Sequence, residues 1–197
     1  MQPFPSKSPS KFPPNPAQWQ PERNGHSLRV RFGRSVHVRL DPFEIAGRFA
    51  EVELLPREKV IATVGAECAA ELFGRSKDCW SGLGIPLAGR TLIVLNHTHP
   101  VTRQTATLTE ELFHIILGHK PSKISVCPIS GKMQREHMKG VEDEAYCSAA
   151  AALVPYAALK FKIECGDTIE AIAEFFGVSI SLVQFRMKTT KLWRRRN

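Results

Sequence analysis

Apolar and polar positions along this chain repeat with two periods, and the switches between them predict its elements. Leu28/Val30/Phe32 and Val36/Val38/Leu40 alternate with period two, which predicts strands across "HSLRVRFGRSVHVRL". In "DPFEIAGRFAEV" a helix is expected, with Asp41 as N-cap and Pro42 at the first helical position, where a missing N–H is harmless. A further helix should cover "ATVGAECAAELFG" and end at Gly74. In "WSGLGIPLAGRTLIVLN" the turn "LAGR" separates a short strand from the β-rich run Thr91–Leu95, so a hairpin is predicted. After "NHTHPVTRQTA" a helix is expected over 107–117. Thr107 and Glu110 have the spacing of a capping box, and Gly118 supplies the stop. A polar stretch, 120–140, leads to a helix over "VEDEAYCSAAAALV", closed by Pro155. The segment "TIEAIAEFFGVSISLVQFRMKTTKLW" reads as two short helices around "FGVS", and no internal repeat is visible.

Composition sets the organisation. The first 25 residues hold half of the 14 prolines and show little periodicity, so they are expected to be disordered or extended, outside the fold. The chain length of 197 residues suits one domain, expected over 26–165, with a helical hairpin at 166–192 packed on it and a basic tail at 193–197. A formal charge of +8 favours acidic partners, although a solvated basic face accounts for it equally simply. Cys68, Cys79, Cys127, Cys147 and Cys165 are odd in number and contain no Cys-x-x-Cys pair, which argues against a disulfide framework or a cysteine-zinc knuckle. They read as buried or half-buried thiols in a reducing compartment. Without a membrane-length apolar run or an apolar signal core, the expected location is the cytoplasm.

The chemistry centres on "TEELFHIILGH", residues 109–119. Zinc peptidases carry His-Glu-x-x-His on a helix; here Glu110 to His114 read Glu-Glu-x-x-His. Residues four apart share a helix face, so Glu110 and His114 can point at one ion, while Glu111, one step round, can polarise a water. Carboxylate oxygen is an accepted zinc ligand. The competing reading gives Glu110 an ordinary capping role at a helix start. His119 lies five residues beyond His114, about 140° round a helix, which makes it a poor ligand. His97 and His99, in the preceding loop, are alternative ligands or a solvated pair. His26, His37 and His137 read as surface residues, and Gly131-Lys132 lacks the glycine-rich loop of a phosphate site.

From Trp80 to Leu192 these pieces follow an order. They are "LIVLN", Arg103, Thr107-Leu108 before the motif, "LGH" after it, "VEDEAYCSAAAALVP" and "FGVSISLVQFRM". In that order the chain resembles the ImmA/IrrE family of bacterial regulatory metallo-endopeptidases. The resemblance implies an α+β, zincin-like fold: a small sheet, an active-site helix and a C-terminal helical segment. It further implies Glu111 as general base, His114 as zinc ligand, and Glu144 as the third protein ligand, with Glu142 the alternative because the acidic cluster leaves the register open. Arg103 would be a stabiliser. Glu110 stands where the family has histidine; as a ligand it would make the site rich in oxygen and shift preference from zinc toward manganese or a similar ion. The implied function is metal-dependent cleavage of a cytoplasmic regulatory protein, such as a transcriptional repressor. The alternatives are an inactive relative that binds proteins and a helix-turn-helix DNA-binding regulator. For 168–196 a packed hairpin is favoured over a DNA reader, and no membrane partner is expected.

Overall fold

The computed structural model describes residues 12–120, 124–126, 133–135 and 139–193. The expectations for residues 1–11, Cys127, Gly131-Lys132, His137 and residues 194–197 lie outside the described residues. The chain divides into two compact units, Asp41–Tyr146 and Met1–Leu40 with Cys147–Asn197. These boundaries differ from the expected 26–165 and 166–192: one break follows Leu40, and the other falls inside a helix.

In the unit Asp41–Tyr146, α2 (Pro42–Ala46) starts as its sequence predicts. Asp41 Oδ1 accepts from the N–H groups of Phe43 (2.9 Å) and Glu44 (3.3 Å), satisfying two of the donors that a helix start leaves over. The helix is a single turn, because Val52 already opens β1 (Val52–Leu55). β1 pairs parallel with β3 (Arg90–Leu95), and β2 (Gly82–Leu87) pairs antiparallel with β3, giving the order β1-β3-β2. A parallel pair needs a crossover; α3 (Arg57–Ala70), kinked at Gly65 and continued by a π turn at Glu71–Arg75, supplies it. The predicted hairpin is present. Ala88 and Gly89 both have positive φ (45° and 85°), the signature of the tight turn whose twist matches the flanking strands.

The helix expected at 107–117 is longer. α4 runs Val101–Ile116 with Pro100 at the N-cap, so Thr107 lies inside it and caps nothing. Threonine can bond within a helix as well as at its start: Thr109 Oγ1 donates to the carbonyl of Thr105 at 2.7 Å. The Thr-x-x-Glu spacing therefore did not mark the boundary. α4 packs on β2 and β3, burying Leu108, Leu112 and Phe113 beside the sheet residues Ile93, Val94 and Leu95. Phe113 is wholly enclosed, and truncating such a side chain costs about 3–5 kcal/mol. Gly82 brings β2 against the Thr107 methyl group, an approach that a side chain on the strand would block. Two short strands, β4 (Ile124–Val126) and β5 (Met133–Arg135), pair antiparallel ahead of α5 (Lys139–Leu153).

The other unit overturns the expectation for the proline-rich segment. Residues 12–25 do not lie outside the fold: a 3-10 turn at Pro16–Gln18 leads into α1 (Trp19–Arg31). The strands expected around 28–40 are not found either. Leu28 and Arg29 are both buried and Val30 is exposed, an order that fits a helix and not an alternating strand. α1 packs on the second half of α5 so closely that a Cβ on Gly25 would come within 2.6 Å of the Ala152 nitrogen. Arg29 lies in the core and donates to the carbonyls of Ala152 (2.6 Å), Ser35 (2.6 Å) and Val38 (2.9 Å). Burial lowers its pKa to about 10, with Glu22 opposing, so it remains charged at neutral pH. Glu22 is ion-paired with Arg186 and also accepts from the Tyr156 N–H at 3.2 Å. After α6 (Tyr156–Glu164), the two helices read around "FGVS" are α7 (Ile169–Phe176) and α8 (Ile180–Thr189). Thr168 and Ser179 cap them, and Gly177 ends α7 at φ 66°. Their facing sides bury Ile172, Phe176, Leu182, Val183 and Met187, leaving Ser181, Gln184 and Lys188 outside.

Candidate metal centre

α4 carries Glu110 and His114 one turn apart on one side, and the start of α5 brings Glu142 to the same place. One ligand atom from each of Glu110, His114 and Glu142 lies within 4.8 Å of the other two, a set that could hold a metal ion. His114 Nε2 is 3.5 Å from Glu142 Oε2. All three are partly buried, open enough for an ion to enter and shielded enough for charge to matter. The donor chemistry fits a divalent cation: two carboxylates and one imidazole offer oxygen and nitrogen lone pairs that converge. Two anionic carboxylates brought this close repel each other, and a dication between them removes that cost.

Glu111, one residue round from Glu110, faces the sheet instead. Its Oε2 would lie 2.8 Å from a Cβ on Gly84, so the glycine in edge strand β2 is what leaves space for this carboxylate. The helix thus presents adjacent glutamates to different neighbours, Glu110 to α5 and Glu111 to β2.

Of the acidic cluster on α5, Glu142 is the member of the convergent group. Glu144 is not in the convergent group: two residues along a helix is about 200° of rotation, and its Oε2 lies 3.3 Å from Nε2 of His119. His119 itself is the residue that sequence reasoning set aside. A rotation of about 140° holds only for a continuing helix, whereas Gly118 adopts φ 66° and folds the chain back. The His119 N–H reaches the His114 carbonyl (2.9 Å) and the Gly118 N–H reaches that of Ile115 (3.1 Å), the paired bonds of a Schellman ending. That closure sets the two rings 5.1 Å apart, with Nδ1 3.1 Å from Nδ1. The signal was in the sequence: glycine followed by histidine directly after a motif helix.

The other candidates lie elsewhere. His97 and His99 occupy the β3–α4 loop and do not belong to the convergent group. His99 is buried, not solvated, with Nε2 3.1 Å from the Lys77 carbonyl. Arg103 donates to Ser81 Oγ at 2.8 Å, roughly 12 Å of helix rise before Glu111. It ties the start of α4 to the loop before β2. The described cysteines are free thiols; Cys68, Cys79 and Cys165 are exposed and not buried as expected. His26 is exposed, and His37 is half-buried against Phe161.

A small mixed sheet, a helix with Glu-Glu-x-x-His laid on it, and a carboxylate from the next helix define an α+β fold of the zincin class. Residues 71–188, more than half of the chain, match the model of the IrrE N-terminal-like domain, peptidase family M78, and the chain belongs to that family. The family is one of metallopeptidase type. No curated protein and no solved structure is matched by this chain. Among the described residues no helix is long and apolar enough to cross a membrane.

Proposed function

We propose that this protein is a metal-dependent endopeptidase that cleaves a regulatory protein in the cytoplasm, a transcriptional repressor being the expected kind of substrate. One observation carries the reading: ligand atoms of Glu110, His114 and Glu142 converge, and the adjacent Glu111 lies over a bare strand position. Glu110, His114 and Glu142 would hold the ion. A divalent ion there supplies Lewis acidity, polarising a peptide carbonyl and making a nearby water more acidic. Zinc is the family expectation; two carboxylates among three protein ligands extend the choice to manganese. They also offset the ion's charge, which weakens its acidifying effect relative to a two-histidine site.

Glu111 takes the proton from the attacking water as its oxygen bonds to the carbonyl carbon. The same carboxyl then hands that proton to the amide nitrogen as the C–N bond breaks, releasing a carboxylate and an amine. Gly84 keeps space open beside this carboxylate, so an alanine there would displace the base itself. The α7–α8 pair supports the packed-hairpin reading, because Ile172, Phe176, Leu182, Val183 and Met187 are buried within its own unit, although Phe175 and Ile180 are exposed.

Zinc and manganese titrations of the wild-type protein and three variants test the assignment. His114→Ala should abolish binding, Glu111→Gln should bind normally without turnover, and Glu110→His should tighten zinc binding. Equal zinc affinities for wild type and Glu110→His would remove Glu110 from the ligand set. Absence of ion binding in the wild type and in Glu110→His would leave the inactive, protein-binding relative as the better description.

A further inference from the structure

The proposed ligand His114 does not stand alone: behind it runs a chain of polar atoms that ends on a carboxylate. His114 Nδ1 is 3.1 Å from His119 Nδ1, and His119 Nε2 is 3.3 Å from Glu144 Oε2. With a cation on His114 Nε2, the direction of these hydrogen bonds is fixed by elementary chemistry. A carboxylate only accepts, so His119 must donate from Nε2. A neutral imidazole that donates from Nε2 has only an acceptor at Nδ1. His114 then donates from its own Nδ1, and its Nε2 lone pair goes to the ion. Without an ion, the Glu142 carboxylate 3.5 Å from Nε2 competes, because it too can only accept and draws a proton to Nε2.

We propose that His119 and Glu144 are positioning residues that favour the Nδ1–H tautomer of His114 and present its Nε2 lone pair to a divalent cation. The inference rests on the metal-centre reading for its purpose, but its geometry is independent of any ion. It also gives Glu144 a role other than ligation. Such a carboxylate–imidazole backing holds ring orientation and raises ligand basicity, and its loss typically weakens metal affinity about 10–100-fold. Gly118 belongs to the device as well. With an L side chain in place of hydrogen, φ 66° is disfavoured, and the turn that carries His119 back onto His114 would be strained.

Two measurements on the full-length protein test this. The first is nitrogen-15 NMR of the His114 ring in ion-free Glu142→Ala protein, where that competing acceptor is gone. Glu142→Ala should show a predominant Nδ1–H form; adding His119→Ala should shift it to a mixture in which Nε2–H predominates, as in free histidine. The second is competition with a chelator for zinc, where His119→Ala should bind about 10–100-fold more weakly. Glu144→Gln, whose amide oxygen still accepts, should lose less than Glu144→Ala. Circular dichroism melting serves as the control, since the backbone bonds of the turn survive both changes. A merely packed His119 would alter melting but leave the tautomer and the Glu144 gradation unmoved. An unchanged His114 tautomer when His119→Ala is added to Glu142→Ala, or a zinc affinity of the His119→Ala single variant within twofold of wild type, overturns the inference. Should the wild type bind no ion, the metal reading falls by itself, and the NMR comparison alone decides this one.

Discussion

Two clusters of charge in this protein use the same side chains to opposite ends. In one unit, Glu22, Arg29 and Arg186 are sealed from water, at 6%, 0% and 0% exposure, and their polar atoms reach backbone carbonyls, an N–H or one another. In the other, Glu110, His114 and Glu142 are only half-buried, and what converges is acceptors. The first arrangement is closed: its polar groups are matched, so it can do little except hold α1, α6 and α8 in register. The second gathers lone pairs at one point, which is poor for stability and suited to binding a cation. Burial with full pairing thus marks a structural charge, and partial burial with convergent acceptors marks a chemical one.

The comparison breaks most sharply at Arg186. Glu22→Leu would leave that guanidinium enclosed without its carboxylate, and unfolding by denaturant should show a loss of about 3–5 kcal/mol. Adding Arg186→Met should recover much of the loss, because two matched apolar groups need no partner. A double variant no better than Glu22→Leu would mean that the ion pair is not the reason for the loss.

Glu142→Ala should behave in the contrary way. In ion-free protein its effect on stability should stay within about 1 kcal/mol, as for other half-exposed charges. Zinc affinity should meanwhile fall by orders of magnitude. A large loss of stability in Glu142→Ala without any change in zinc binding would turn the second cluster into a copy of the first.

The smallest expected effect is at His37, in the unit of the sealed network. Its pKa is lowered from the usual 6.5 by burial and then by the Arg29 charge nearby. The folded protein therefore resists protonating it. As pH falls through 6.5 the unfolded chain takes the proton first, so stability declines until the folded-state pKa is passed, and above pH 6.5 the residue contributes no slope. Replacing His37 with Gln should flatten a shallow decline in melting temperature across that acid window. An unaltered profile would show that the burial of His37 is of no consequence.

Much of this could be read from the sequence where one residue type decides a local geometry. Asp41-Pro42 starts a helix, "LAGR" turns a hairpin, Gly118 and Gly177 end helices, and the motif helix carries its acidic pair on the expected faces. The failures share a cause: information that lives in a second element. α1 shows no apolar rhythm because its buried side includes Glu22 and Arg29, with Gln18 buried just ahead of it. Their value depends on Arg186 and on carbonyls more than a hundred residues away. Glu142 and Glu144 are equivalent on paper, and only the rotation of α5 against α4 separates them. His119 required the backbone of Gly118 to be followed as a turn, beyond the angle of an ideal helix.

The division of the chain also has a consequence in time. The unit Asp41–Tyr146 is continuous, so it can close as soon as its last residue is free of the ribosome. The other unit is not: Glu22 is separated from Arg186 by 164 residues. At about 5–20 residues per second, α1 waits roughly ten to thirty seconds after synthesis for the helix that neutralises it. During that interval a charged, proline-led helix whose inner face includes Glu22 and Arg29 leaves little apolar surface, chiefly Leu28, to aggregation. The feature that hid α1 from a reading of hydrophobic pattern is the one that lets it wait safely in water.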